Sequence, residues 1–240
     1  MKSLTPFLTA EWRKLVMANY SVDRTVLQAY LPVHTELDEW KGQTYVSLVG
    51  FMFRKVKVRG LAVPYHTEFP EVNLRFYVRR KEGNEWKRGV VFISEIVPKP
   101  AITWIANTLF RERYRTLPMR NEDHAKENTL KVGYQWKYKG SWNTLKVDAD
   151  AQPIALEPGS KEEFITEHFW GYTAIGPACC GEYEVAHPRW NIHPVHSHGI
   201  ECNFGDLYGQ AFAGLKDQTP ASVFLAEGSP IKVFSKKIIA

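Results

Sequence analysis

The fold class is indicated most clearly by the stretch Glu71-Val72-Asn73-Leu74-Arg75-Phe76-Tyr77-Val78-Arg79-Arg80. Apolar side chains alternate with polar ones along it, which is the period of a β-strand with one buried face. A polar, glycine-containing turn follows at residues 81–85, and residues 89–97 return as a second apolar stretch. Two such stretches around a short turn predict a β-hairpin, in which residues 71–80 form a half-buried strand.

The rest of the chain adds mostly strands. Residues 11–20 fit helical spacing and loose alternation equally, so their type stays open. Further strands are predicted at residues 43–58, 130–138, 142–147, 182–187, 198–204, 222–226 and 231–236, with a turn at Gly228-Ser229-Pro230 between the last two. Helices are predicted at residues 23–31 behind an Asp23 cap, 101–111, and 160–169 behind a capping box at residues 160–163. Many strands with few helices predict an antiparallel sheet that curls toward a barrel or sandwich, with helices outside.

Length and composition indicate one domain over residues 1–240. Hydrophobic residues make up 44% of the chain, which argues against disorder. The net charge of +5 is mild and no nucleic-acid-binding motif occurs, so we expect no nucleic-acid partner. The sequence has neither a membrane-length apolar run nor a secretory signal, so we expect no membrane partner and a cytoplasmic location. Cys179, Cys180 and Cys202 are interpreted as reduced thiols.

Five segments together resemble a known bacterial family. They are FLTAEWR (7–13), YVSLVGF (45–51), EVNLRFYVRR (71–80), GVVFISEIVP (89–98) and EFITEHFWGY (163–172). This set is similar to the YqjF-like family of unknown function, which is placed in the acetoacetate decarboxylase-like superfamily. The resemblance implies an α+β fold in which a largely antiparallel β-sheet closes as a barrel or cone around a ligand cavity, with a few outer helices.

The resemblance also allows a test for decarboxylase chemistry. The decarboxylase of that superfamily forms a Schiff base on a lysine that follows the strand-and-helix unit resembling residues 91–110. This sequence has no lysine between Lys99 and Lys126 and carries arginines at 111 and 113 instead. An arginine keeps its proton and cannot act as the amine nucleophile. Schiff-base decarboxylation is therefore not expected.

The candidate catalytic residues are Glu95 and Glu71. Glu95 is a single carboxylate among apolar neighbours, and burial would raise its pKa toward the range of a general acid or base. A salt bridge to an arginine of the neighbouring strand is the alternative. Glu71 shares one face of its strand with four other polar or aromatic residues, and that face lines either a cavity or the solvent.

The candidate ligand-binding residues are one asparagine and four arginines. Asn73 and Arg75 lie on the same strand face as Glu71. Arg111 and Arg113 stand where the resemblance places the reactive amine, and they would suit an anionic substrate through paired carboxylate contacts. A basic helix end exposed to solvent is the alternative. Arg13, in the first resembling segment, completes the set.

Histidines and one thiol are dense between residues 187 and 202. No spacing among them matches a known zinc motif, and two prolines argue for irregular backbone, so we expect no metal site. His168 follows Glu167, and we favour a packing role over an imidazole oriented by that carboxylate. No nucleotide-binding motif occurs, and we expect no cofactor. The clustered residues are His187, His193, His196, His198 and Cys202.

These observations support three functional hypotheses. The first is a small-molecule-binding protein whose internal pocket takes an organic, anionic or aromatic ligand. The second is a lyase or isomerase type of enzyme on the same fold, with a glutamate as acid or base and an arginine holding the substrate. The third, a structural or interaction module, would fill the cavity with its own side chains. The oligomeric state is open, and a homo-oligomer is one option.

Overall fold

The computed structural model describes residues 5–240, which form mostly β-strands. The strands are β1 (Leu8–Val22), β2 (Glu36–Leu37), β3 (Thr44–Val58), β4 (Leu61–Ala62), β5 (Phe69–Glu82), β6 (Glu85–Val97), β7 (Tyr114–Thr116), β8 (Met119–Lys126), β9 (Thr129–Tyr138), β10 (Ser141–Asp150), β11 (Trp170–Ala174), β12 (Cys180–Ala186), β13 (Ile192–His193), β14 (Val195–Glu201), β15 (Ser222–Val233) and β16 (Lys237–Ile239). The α-helices are α1 (Arg24–Gln28), α2 (Pro100–Phe110), α3 (Lys161–Thr166) and α4 (Phe204–Tyr208), and a 3-10 helix spans Gln210–Lys216. None of these helices is long and apolar enough to cross a membrane.

Twelve strands make up the larger sheet. Its main path runs β13-β15-β1-β3-β5-β6-β11-β12-β16, and β12 pairs again with β15 at Val185 and Val233. Following the paired strands from β15 through β1, β3, β5, β6 and β11 to β12 therefore leads back to β15, so the strand pairings form a ring. Most are antiparallel, whereas β6 pairs in parallel with β11 and with β7. The predicted hairpin is confirmed as β5 and β6, joined by a tight turn at Gly83-Asn84.

A second, four-stranded antiparallel sheet covers one face of the larger sheet. Its strand order is β14-β10-β9-β8. Tyr134 and Trp136 of β9 are fully buried and share one apolar core with Val16, Leu48 and Phe76 of the larger sheet. Burial of such large aromatic side chains is the main stabilising contribution expected from this interface.

Strand β5 is buried on both faces. Leu74 and Phe76 belong to the core shared with the second sheet. Glu71, Asn73 and Arg75 alternate with them and are also buried, with 2%, 1% and 7% of their surface exposed. The prediction of a half-buried strand is therefore wrong, because the polar face lines a cavity instead of meeting bulk water.

The open question at residues 11–20 is resolved as strand β1, which contains a bulge. Lys14 has a positive φ of 55°, and the register with β3 shifts between Arg13 and Val16. A bulge inserts one residue and changes which side chains face inward. Trp12 and Leu15 consequently both reach the cavity, although a regular strand would direct them to opposite faces. This explains why the alternation of apolar and polar residues did not identify the strand.

Strand β15 runs unbroken from Ser222 to Val233, so the predicted turn at residues 228–230 is wrong. Gly228 lies opposite Arg13, beside the bulge of β1, and has a φ of +80°. A Cβ at this position would lie 2.1 Å from the Trp12 carbonyl oxygen. Only glycine fits such a position, so this glycine allows the close approach of β15 to β1 and does not end the strand. Strands β7, β8 and β11 lie in segments for which no strand was predicted.

The helix caps are close to those predicted. Asp23 caps α1, which ends at Gln28 instead of Leu31. The Ser160 hydroxyl accepts a hydrogen bond from the Glu163 amide at 3.1 Å, as in a capping box. In a capping box the Glu163 side chain would also accept from the Ser160 amide, but here its carboxylate accepts from the Gly159 amide at 2.6 Å. Helix α3 is thus held in place beneath the cavity-facing side of the larger sheet, where its Phe164 packs.

Candidate functional site

A cavity of about 380 Å³ lies on the face of the larger sheet that carries Glu71, Asn73 and Arg75. This volume is in the range of sites for small organic molecules. Most of its wall is apolar or aromatic, and helix α2 contributes Ile102 and Ile105. Glu71, Asn73, Arg75 and Glu95, on the adjacent strands β5 and β6, form one polar part of this wall.

Glu71 and Glu95 lie together in that polar part. Asn73 pairs directly with Glu95 across the β5–β6 ladder, and Glu71 lies two residues before Asn73 on the same strand face. The Asn73 side-chain amide donates to Glu71 Oε1 at 3.0 Å, and the Tyr114 hydroxyl donates to Glu71 Oε2 at 3.2 Å. Glu95 Oε2 is buried and has no hydrogen-bond partner among residues 5–240.

Burial raises the pKa of both carboxyl groups. The pKa of Glu71 rises to about 7, with hydrogen bonds from Asn73 and Tyr114 acting in the opposite direction. The pKa of Glu95 lies well above its usual value, because burial and the negative charges of Glu71 and Glu112 all disfavour ionisation. Two interacting carboxyls release their protons as a pair. The two carboxyl groups therefore keep their protons to higher pH than exposed glutamates do.

Arg75 supplies a buried cation to the same wall. Its guanidinium carbon lies 5.9 Å from the centre of the Tyr77 ring, and its Nε is buried without a hydrogen-bond partner in the described part of the chain. A buried guanidinium is costly unless it is paired. Its attraction lowers the pKa of Glu71. Arg75 is thus positioned to bind an anionic group inside the cavity.

Lys236 also lines the cavity, and sequence reasoning missed it. Its ammonium donates to Glu112 Oε1 at 2.6 Å, to the Phe110 carbonyl at 2.6 Å and to Thr173 Oγ1 at 2.9 Å. The Lys236 side chain thus has three hydrogen-bond acceptors, all supplied by the protein itself. The residue lies more than 120 positions from Glu112. No local pattern of the sequence could connect the two.

His168 lines the cavity and is oriented by Asp38. Its Nε2 lies 3.1 Å from Asp38 Oδ2, which also accepts a bond from Arg88 Nε at 2.7 Å. Burial is the largest cause that lowers the pKa of His168, to about 4. The ring packs between Tyr77 and Phe164. The packing role matches the favoured interpretation, and the orienting carboxylate comes from a distant residue instead of Glu167.

The His168→Gln variant is expected to change the pH dependence of stability. The folded state keeps His168 neutral down to about pH 4, whereas the unfolded chain protonates near 6.5. The stabilising contribution of the neutral ring is complete above pH 6.5 and is lost as the pH falls toward 4. The free energy of unfolding, measured by urea denaturation, should therefore decline less on acidification in His168→Gln than in wild type. Equal declines, with the exposed His198→Gln as control, would contradict this.

The other candidate arginines occupy different places. Arg13 Nε bonds Glu11 Oε2 at 3.0 Å. Arg111 ends α2 with a φ of 54° and donates to the Ile175 carbonyl at 3.3 Å. Arg113 lines a separate pocket behind β6. The cavity thus brings together Glu71, Glu95, Asn73 and Arg75, whereas these three arginines lie apart from it.

Three of the four histidines at 187–198 have individual partners. His187 stacks on Trp190 at 4.2 Å and lines the cavity. His193 bonds the Asp150 carbonyl and Glu227, and His196 bonds the Asp150 carboxylate. Across the part of the chain that the structure describes, no group of three or more His, Cys, Asp or Glu residues could hold a metal ion. The three cysteines are free thiols.

The sequence matches a protein family over residues 9–230. The family, DUF2071, is described as an uncharacterized conserved protein. The uncharacterized protein YqjF of Bacillus subtilis (strain 168) is 28% identical over 230 residues, which cover 94% of this chain and 86% of YqjF. The resemblance to the YqjF-like family is thereby confirmed.

Solved structures share the fold at low sequence identity. The acetoacetate decarboxylase from Legionella pneumophila has a TM-score of 0.66 and 14% identity, and the match covers 98% of this chain and 87% of that one. The enduracididine biosynthesis enzyme MppR with HEPES buffer bound has a TM-score of 0.68 and 12% identity, covering 99% and 89%. Such identities establish an acetoacetate decarboxylase-like fold and leave activity open.

Proposed function

Because the chain belongs to the DUF2071 family of uncharacterized conserved proteins, we propose its function from the cavity itself. The protein binds one small organic molecule with an anionic or aromatic group. The ring of strand pairings from β15 through β1, β3, β5, β6, β11 and β12 forms the barrel or cone that encloses this ligand. The free thiols fit a reducing compartment, and we place the protein in the cytoplasm.

The observation that carries this proposal is the buried pair Glu71 and Glu95 beside Arg75. Three ionisable groups in a mostly apolar cavity reduce the stability of the folded chain, since their desolvation is only partly offset by hydrogen bonds. Perturbed carboxyl groups in a cavity are typical of functional sites. Their arrangement matches a ligand with a carbonyl or carboxylate head and an apolar or aromatic body.

A second function, acid–base catalysis, is supported by the raised pKa values. A carboxyl with a pKa of about 7 can both give and take a proton at neutral pH. In a lyase or isomerase reaction, Arg75 would hold the anionic group while Glu71 or Glu95 moved a proton at the neighbouring carbon. Arg75 takes the substrate-holding role here, because Arg111 and Arg113 lie outside the cavity. The three hydrogen bonds that tie the Lys236 side chain to Phe110, Glu112 and Thr173 argue against its use as a Schiff-base nucleophile.

Ligand binding can be tested by thermal shift with a panel of small carboxylates and aromatic carbonyl compounds. At least one class should raise the melting temperature of the wild type, and Arg75→Met should weaken its binding by about tenfold or more because the charged contact is lost. Arg79→Met is the matched control, since Arg79 lies on the same strand with its guanidinium paired to Glu36 at the surface. Equal affinities in the two variants would contradict the proposal.

A further inference from the structure

A second pocket lies behind the wall that holds Glu95. Its volume is about 340 Å³. Its lining comes from the residue Tyr30 after α1, from β6, from β7 with the preceding Arg113, and from α4. The lining residues are Tyr30, Ile93, Ser94, Arg113, Tyr114, Arg115, Leu207 and Tyr208. The lining thus includes two arginines and three tyrosines and no carboxylate.

Alternation along β7 separates this pocket from the cavity. Tyr114 directs its hydroxyl to Glu71 in the cavity. Arg113 and Arg115 flank Tyr114, so their side chains lie on the opposite face of the strand, where both line the second pocket. The guanidinium of Arg113 lies 6.0 Å from the centre of the Tyr30 ring. The two cations thus share one face with an aromatic ring beside them.

The charges in this pocket are unbalanced. Arg113 and Arg115 are exposed, and within residues 5–240 neither forms a salt bridge, whereas nine salt bridges join seven other arginines to carboxylates. The Tyr208 hydroxyl is buried and has no hydrogen-bond partner among the described residues. Burial keeps this phenol protonated by raising its pKa, although Arg115 acts in the opposite direction. A buried hydroxyl without a hydrogen-bond partner is costly, so a bound group that accepts a hydrogen bond from Tyr208 would stabilise it.

We propose that this second pocket binds an oxyanion, the carboxylate or phosphate of a small molecule, independently of the cavity. Guanidinium groups bind planar or tetrahedral oxyanions through paired N–H donors. Arg113 and Arg115 neutralise the anion, and the Tyr208 hydroxyl donates to one of its oxygens. The Tyr30 ring covers one side. Ser94 supplies its hydroxyl to the Arg113 carbonyl at 3.1 Å, which fixes the backbone between the two arginines and β6.

The site can be tested by calorimetric titration with inorganic phosphate and, separately, with benzoate at constant ionic strength. Wild type should bind one of the two with a Kd of about 1 mM or lower. Arg115→Met should weaken that binding by about tenfold or more, and Tyr208→Phe should weaken it less while keeping the ring in place. Arg79→Met should bind as wild type does. Whichever probe binds identifies a phosphate or a carboxylate as the natural group.

Two results would overturn the inference. One is failure of both probes to bind the wild type. The other is binding that Arg75→Met abolishes and Arg115→Met leaves unchanged, because the anion would then lie in the cavity. That second result would leave the proposed cavity function intact. Melting temperatures near wild type in Arg115→Met and Tyr208→Phe would show that any loss of binding is not a loss of folding.

Discussion

Replacing Glu95 by glutamine is expected to raise the free energy of unfolding at pH 8 by about 1 kcal/mol or more. The carboxyl is 3% exposed, and its Oε2 has no hydrogen-bond partner in the described chain. Its raised pKa means that the folded state holds a proton that the unfolded chain releases above 4.5. Stability therefore falls as the pH rises above 4.5 toward the folded pKa. Glutamine has no such proton and avoids the loss.

The gain should disappear on acidification. Near pH 4 both the folded and unfolded forms of Glu95 are protonated, so glutamine is nearly isosteric with the acid and offers no advantage. Urea denaturation at pH 4 and pH 8 measures both values. Glu85→Gln, on the exposed end of the same strand, is the control and should change little at either pH. A lower stability of Glu95→Gln at pH 8 would mean that this carboxylate holds the fold together, which would remove the argument for a functional acid.

Gly50→Ala is expected to destabilise the chain by about 3 kcal/mol. Gly50 lies in β3 beneath the Tyr134 ring of the second sheet, and an added Cβ would lie 2.5 Å from Tyr134 Cδ2 and 2.9 Å from Cγ. These ring atoms cannot move away easily, because Tyr134 is 1% exposed and its hydroxyl donates to the Lys14 carbonyl at 2.8 Å. The two sheets would have to separate locally.

The matched control for this variant is Gly214→Ala. A Cβ at Gly214 has no heavy atom within 4 Å, and its φ is not positive. The control should be unchanged or up to about 1 kcal/mol more stable, since alanine lowers the entropy of the unfolded chain. Urea denaturation of the two variants gives the comparison. Similar stabilities would show that the sheets are not packed through Gly50.

The strands were predictable wherever the sequence pattern is local. The β5–β6 hairpin follows from alternation around a short turn, and the fold class follows from the number of such strands. The same reasoning failed in β1, because the bulge at Lys14 changes which side chains face inward and forms only when β1 pairs with β3. Burial of the polar face of β5 was likewise decided by partners far along the chain.

The residues of the candidate site were likewise predictable where they lie on adjacent strands and unpredictable where distant segments meet. Glu71, Asn73, Arg75 and Glu95 share the cavity because they lie on two adjacent strands, which alternation and register could indicate. Lys236 reaches the cavity from the segment after β15. It lies far along the chain from the helix near which the resemblance places a reactive lysine, so the sequence did not identify it. Arg113 was grouped with the cavity because it stands where the resemblance places the reactive amine, but its side chain lies on the side opposite that of its neighbour Tyr114 and lines the second pocket.

Glu71 and Glu95 form a buried, interacting pair of acids. Carbon-13 NMR of the side-chain carboxyls, followed through a pH titration and assigned with the Glu71→Gln and Glu95→Gln variants, tests it most directly. We expect a midpoint of about 7 for Glu71 and a raised midpoint for Glu95, and the Glu95 midpoint should fall when Glu71 is replaced by glutamine. Two independent titrations near 4.5 would contradict the account.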